Sequence, residues 1–109
     1  MATVVENLKA ARAKIADPAD WIQCHYAKNN TGDSICGDEP GATCFCSAGA
    51  IQAVRNTACE EETREYEILK EVAIELGSPG VPSYNDSHSH AEVMAMWDKA
   101  IARAEELAV

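Results

Sequence analysis

The sequence predicts a mainly α, single domain over residues 1–109, with about four helices and a short β-hairpin between helices one and two. Three observations predict it. Capping boxes recur at Thr3–Glu6, Thr57–Glu60 and Ser89–Glu92, where a hydroxyl and a carboxylate three residues apart each satisfy the other's free amide. Apolar residues follow each box at helical spacing. A hydrophobic share of 47% against 25% charged suits a chain of this length with one modest core.

Helix one starts at the Thr3 box and carries an apolar stripe of Val4, Leu8, Ala11 and Ile15. Asp17-Pro18 stops it, because the residue before proline avoids the helical region, and Asp17 then caps a short turn through Trp21. The aromatic stretch "WIQCHYA", Trp21 to Ala27, is expected as a strand pairing with Ser34–Cys36 across "KNNTGD". Residues 28–43 otherwise read as a long loop rich in Gly, Asp and Asn. Helix two is expected from Thr43, as N-cap, to about Asn56. Helix three follows the Thr57 box, with Glu60, Glu61 and Glu62 in its first turn, where the helix dipole favours acids. Its expected buried stripe is Tyr66, Leu69, Val72, Ala73 and Leu76, and Gly77 stops it. "SPGVPSYNDSH" reads as a loop. Helix four follows the Ser89 box and buries Val93, Met94, Trp97, Ile101 and Ala104.

The net charge of −9 argues against direct binding to nucleic acid, which needs clustered Lys and Arg. It equally disfavours an anionic membrane surface. An acidic chain can instead mimic nucleic acid in a basic protein groove. No apolar run approaches the roughly 20 residues that span a bilayer, and the charged N-terminal stretch does not read as a signal peptide. Five cysteines without an export signal point to the cytoplasm and free thiols.

The chemistry concentrates in "TCFCSAGAI", Thr43 to Ile51. Three readings of it are open. Cys24, Cys36, Cys44 and Cys46 could supply a structural zinc site, although no C-x-x-C knuckle is present. Cys46 could be a nucleophile: with Thr43 as N-cap it stands at the third helical position, where the dipole lowers a thiol pKa. His25, His88 or His90 would then be the base, with Asn85 or Asp86 orienting it. The third reading is packing. Cys46, Gly49, Ala50 and Ala53 form a stripe of small residues that admits a close neighbour, expected to be helix one or helix four, or else a ligand. The default is packing against a helix. No motif calls for a cofactor.

In "SYNDSHSH", Asn85 and Asp86 are natural turn and capping residues. Together "DWIQCHYA", "ATCFCSAGAI" and "SYNDSHSHAEVMAMWDKAI" resemble an uncharacterised family of small bacterial and phage proteins, a domain of unknown function. Its pattern is Trp-x-Gln, then a Cys-x-x-Gly-Ala helix start, then an aromatic-Asn-Asp turn. The matching positions are Trp21, Gln23, Cys46, Gly49, Ala50, Asn85 and Asp86. Relatives often carry glycine where this chain has Cys24. The resemblance implies no activity. It does imply that Trp21, Gln23, Cys46, Asn85 and Asp86 gather as a candidate pocket.

For function, the leading expectation is a non-enzymatic binding or regulatory module acting on a protein partner or on a second copy of itself. A cysteine-dependent enzyme using Cys46 and a zinc-stabilised domain are the alternatives.

Overall fold

A computed structural model describes residues 2–109. Among them the chain is mainly α, with five α-helices and one small antiparallel sheet.

Helix α1, Val4–Lys14, starts as its sequence requires. Thr3 Oγ1 accepts from the Glu6 amide at 3.1 Å, and Glu6 Oε1 accepts from the Thr3 amide at 2.8 Å. Leu8, Ala11 and the capping Ile15 are buried along its stripe. Asp17 caps a 3-10 turn over Pro18–Asp20, as expected.

The hairpin between the first two helices is present, but shifted. Strand β1 is Ala27–Asn29, not Trp21–Ala27, and it pairs with β2, Ser34–Ile35. A third strand, β3 at Ala42–Phe45, lies on the other side of β1, giving the order β2-β1-β3. Asn29 sets the hairpin turn by accepting the Thr31 and Asp33 amides on Oδ1, at 3.0 and 2.9 Å. Trp21–Tyr26 is an arch with both feet on the end of β3, since Ile22 N donates to Phe45 O and Cys46 N donates to Tyr26 O, each at 3.0 Å.

Pairing with β1 holds residues 42–45 extended, so Thr43 cannot cap a helix. Helix α2 therefore begins at Ser47 and runs to Arg55, with Cys46 as N-cap. Helix three also starts later than expected. Thr57 Oγ1 accepts from the Cys59 amide, two residues on, rather than closing a box with Glu60. Glu60–Glu62 form a 3-10 turn instead. Thr63 then caps α3, Arg64–Glu75, by accepting the Tyr66 amide at 3.1 Å. Ile68, Leu69, Val72 and Ala73 are its buried stripe, whereas Tyr66 is half-buried and Leu76 ends exposed at the C-cap.

"VPSYNDS" is a helix rather than a loop: α4, Val81–Ser87, with Pro82 in the first turn, where its missing N–H costs nothing. This segment is the helix beyond the expected four. Helix α5, His90–Leu107, opens with the Ser89–Glu92 box and buries Val93, Met94, Met96, Trp97, Ala100 and Ala104. The core lies between α1, α2, α3 and α5, with α4 closing one end against α2 and α3. Glu65, almost wholly buried, ties three helices by accepting from Arg55 of α2 at 2.6 Å and Asn7 of α1 at 2.8 Å.

Candidate functional site

Of the residues named as a candidate pocket, Trp21, Gln23 and Asp86 hydrogen-bond to Asn85, while Cys46 does not. Asn85 projects from α4 and is fully buried. Its Oδ1 accepts from Trp21 Nε1 at 2.8 Å, from the Ser47 amide at 3.1 Å and from Ser47 Oγ at 2.8 Å. Its Nδ2 donates to the Ile22 carbonyl at 3.0 Å and to Asp86 Oδ1 at 3.1 Å. Trp97 completes the set by donating Nε1 to Ser47 Oγ at 3.0 Å. Outside this knot, Gln23 Nε2 donates to the carbonyls of Asn85 and His88 at 3.1 and 3.2 Å. Asp86 Oδ1 accepts the amide of Cys24 at 2.9 Å. One amide thus clamps the arch, the N-terminus of α2 and α4 together.

The close neighbour of the small-residue stripe is neither a helix nor a ligand at Gly49. A Cβ there would lie 1.9 Å from the Tyr26 carbonyl oxygen, so it is the arch backbone that approaches. Gly37 approaches in turn, its own would-be Cβ falling 2.0 Å from the Gly49 carbonyl oxygen. Gly37 N also donates to Gln52 Oε1 at 2.7 Å.

Beneath the arch is a cavity of about 230 Å³. Cys24, His25 and Tyr26 of the arch line it together with Ser34, Cys46, Ala48, Pro82 and Asp86. Of the expected pocket residues, Cys46 and Asp86 face it. Trp21, Gln23 and Asn85 do not line it and are committed to hydrogen bonds.

As N-cap, Cys46 does not occupy the third helical position. Its Sγ accepts the Gly49 amide at 3.3 Å, and burial pushes its thiol pKa up to about 11, against the lowering expected from the dipole. None of the histidines offered as base hydrogen-bonds to it. His25 Nδ1 is paired with Ser34 Oγ at 3.1 Å. His88 stacks on Tyr84 and reaches the Tyr84 carbonyl at 3.0 Å. His90 Nε2 meets the Ile15 carbonyl at 2.7 Å. His25 alone of the three shares the cavity. The zinc expectation fails on geometry: among the described residues no three His, Cys, Asp or Glu side chains are grouped to hold a metal ion. Cys44 instead points its thiol at the Lys28 carbonyl, so Cys24, Cys36, Cys44 and Cys46 do not form a ligand set.

Two more hollows adjoin the first. One of about 290 Å³ is walled by Tyr26, Cys59 and Glu60–Glu62. The other, about 460 Å³, lies between Glu61, Tyr66, Glu67 and Lys70 on one side and the start of α4 at Pro82 on the other. Tyr26, Glu61 and Pro82 each border two hollows, so the three adjoin on one face, called the trough below. Acidic side chains outnumber basic ones in its lining. Lys70 is the one cation among the lining residues, and among the described residues Glu60, Glu61 and Glu62 have no ion pair. Burial holds the Glu60 carboxyl above its usual range, with Gln52 Nε2 donating to it at 3.2 Å. The charge of Glu60 raises the Tyr26 phenol, and burial reinforced by Glu61 pushes Tyr66 up to about 12. The sequence placed these glutamates in the first turn of helix three, and no local motif joins them to Tyr26, more than 30 residues earlier.

A family described as of unknown function, DUF6197, matches residues 1–103. The chain belongs to that family. No curated protein and no solved structure matches it. Membership covers the α1 start, the arch, the asparagine knot and most of α5, and brings no activity with it. Among the described residues no helix is long and apolar enough to cross a membrane.

Proposed function

We propose that the chain is a non-enzymatic binding module that receives a basic segment of a partner protein along the trough. The observation that supports this reading is that three hollows adjoin at Tyr26, Glu61 and Pro82, with acidic side chains outnumbering basic ones in their lining. Tyrosine faces attract ammonium and guanidinium groups, and carboxylates without ion pairs in a concave surface concentrate the field on an incoming cation. A flat acidic helix would offer neither. The chemistry of the site favours binding over catalysis, because the cavity's buried thiol is neutral and Asn85, outside the cavity lining, is fully committed to hydrogen bonds. Such a partner fits a cytoplasmic role, and the same charge turns phosphate backbones away.

The test is a titration of isotope-labelled protein with a Lys/Arg-rich peptide and a Glu-rich peptide of equal length, read by backbone amide shifts. The basic peptide should move Tyr26, Glu61, Tyr66 and Ser83, with affinity falling steeply as salt rises. Tyr26→Ala with Glu61→Gln should weaken binding about tenfold or more, because the pair of substitutions removes both an aromatic face and a negative charge from the path of the cation. Equal shifts from the acidic peptide, or shifts confined to a different face, would overturn the reading.

A further inference from the structure

Two of the five cysteines share the cavity, and they differ in exposure and reach. Cys24 is exposed at the crown of the arch, with φ of +71°. That region strains any side chain and is ordinarily left to glycine. Asp86 holds the strained turn through the Cys24 amide at 2.9 Å. Cys46, which lines the same cavity, is buried. The feet of the arch are Ile22, bonded to Phe45 O, and Tyr26, bonded to Cys46 N. Cys24 is two residues from either foot, a chain length of at most about 7 Å. Both residues line the same cavity, and Asp86, which holds the Cys24 amide, lines it too.

We infer that Cys24 and Cys46 are an oxidisable pair, in which Cys24 takes a peroxide and Cys46 resolves the product as an intramolecular disulfide. The Cys24 sulfur attacks the near oxygen of a hydroperoxide, R–O–O–H. The O–O bond breaks, Cys24 becomes a sulfenic acid, and R–O⁻ leaves and takes up the thiol proton as R–OH. The Cys46 sulfur then displaces the sulfenic hydroxyl. The S–S bond forms, and the hydroxyl leaves with the Cys46 proton as water. Two thiols lose two electrons and the peroxide gains them. The order follows from access: the exposed thiol meets the oxidant, while the buried one is a poor nucleophile in water and reacts only with a group delivered to it. The bond would draw the arch down and close the cavity. This pairing stands whether or not the trough binds a basic segment.

The experiment treats the full chain with hydrogen peroxide, blocks remaining thiols with iodoacetamide and maps the peptides by mass spectrometry. Cleavage after Phe45 separates Cys44 from Cys46, so the partners are unambiguous. The expected product is a Cys24–Cys46 linked peptide, lighter by two hydrogens than its parts and released by dithiothreitol. In Cys46→Ser, which keeps an N-capping side chain, Cys24 should instead accumulate as a sulfenic acid trapped by dimedone. In Cys24→Ser, Cys46 should remain a thiol. Pairing of Cys24 with Cys36, Cys44 or Cys59, sulfinic acid at Cys24 in the unmodified chain with Cys46 still free, or oxidation of Cys46 in Cys24→Ser would each overturn the inference.

Discussion

Trp21 donates its indole N–H to Asn85 Oδ1 at 2.8 Å, across 64 residues of sequence. The same oxygen receives the amide and hydroxyl of Ser47, the first residue of α2. A helix start is thus satisfied by a side chain of another helix as well as by its own N-cap. Asn85→Ala would leave the Trp21 indole, the Ser47 amide and the Ile22 carbonyl without their protein partner. Each unmet buried group costs about 1–3 kcal/mol, so the loss should reach about 3 kcal/mol or more. Urea unfolding followed by tryptophan fluorescence measures it. A loss under about 1 kcal/mol would mean water replaces the amide and the knot is not what fixes the arch.

Gly49 tests the close approach of Tyr26. By helix propensity alone Gly49→Ala should stabilise α2 by about 1 kcal/mol. The new methyl would instead fall on the Tyr26 carbonyl, 1.9 Å away, and that carbonyl also accepts the Cys46 amide. Displacing a backbone in a packed site costs about 2–3 kcal/mol, so the variant should be less stable, reversing the sign. Gly80→Ala is the control: its backbone is extended and nothing lies within 4 Å, so stability should hold within about 0.5 kcal/mol. Thermal melts of both variants separate the two effects.

What the sequence made legible was local. The Thr3 and Ser89 boxes, the apolar stripes of α1 and α5 and the Gly77 stop are decided by neighbours within a few residues, and they appear in the structure where expected. The Thr57 box failed because Thr57 and Thr63 both offer a hydroxyl to a nearby amide, and burial of Ile68 and Leu69 selects the later start. Thr43 failed as a cap because β1, fifteen residues earlier, claims its segment as a strand. At the site, the candidate pocket of Trp21, Gln23, Cys46, Asn85 and Asp86 was named from the family pattern, not from physical signals in the chain. The trough was not anticipated at all. Tyr26, Glu61 and Pro82 meet only through the tertiary fold, and nothing in their local sequence marks a concave surface.

Cys46 should be the slowest thiol to alkylate in the native chain. Burial holds it protonated, its pKa near 11 leaving only about one thiolate in several thousand near neutral pH. Cys24 and Cys59 are exposed and should react first. Iodoacetamide labelling with time, read by peptide mass, gives the order. In urea all five thiols should converge on one rate, since the protection comes from the fold. Selective labelling of Cys46 in the folded protein near neutral pH would contradict the buried geometry and revive a nucleophilic role.

Glu60 supplies the pH dependence. Its carboxyl is almost wholly buried, and desolvation raises its pKa, with the Gln52 amide pulling back and the Glu61 charge pushing further up. A folded-state pKa above the unfolded value means the native chain keeps this proton to higher pH than the unfolded chain does. The stability it contributes is therefore complete below the unfolded carboxylate pKa, about 4.3, and is lost as pH rises through the folded value. Glu60→Gln retains an oxygen to accept from Gln52 Nε2 and carries no charge to desolvate. It should melt above the parent chain at neutral pH, and the gap should close as both are taken down to about pH 3, where the parent carboxyl is protonated. The same variant should bind a basic peptide less tightly, because it removes one of the carboxylates facing Tyr26. Thermal midpoints of the pair across that range decide the matter. A gap of constant size would show that the Glu60 carboxyl has the same pKa folded and unfolded, and a reversed gap would show that its charge is compensated by contacts stronger than the Gln52 amide alone.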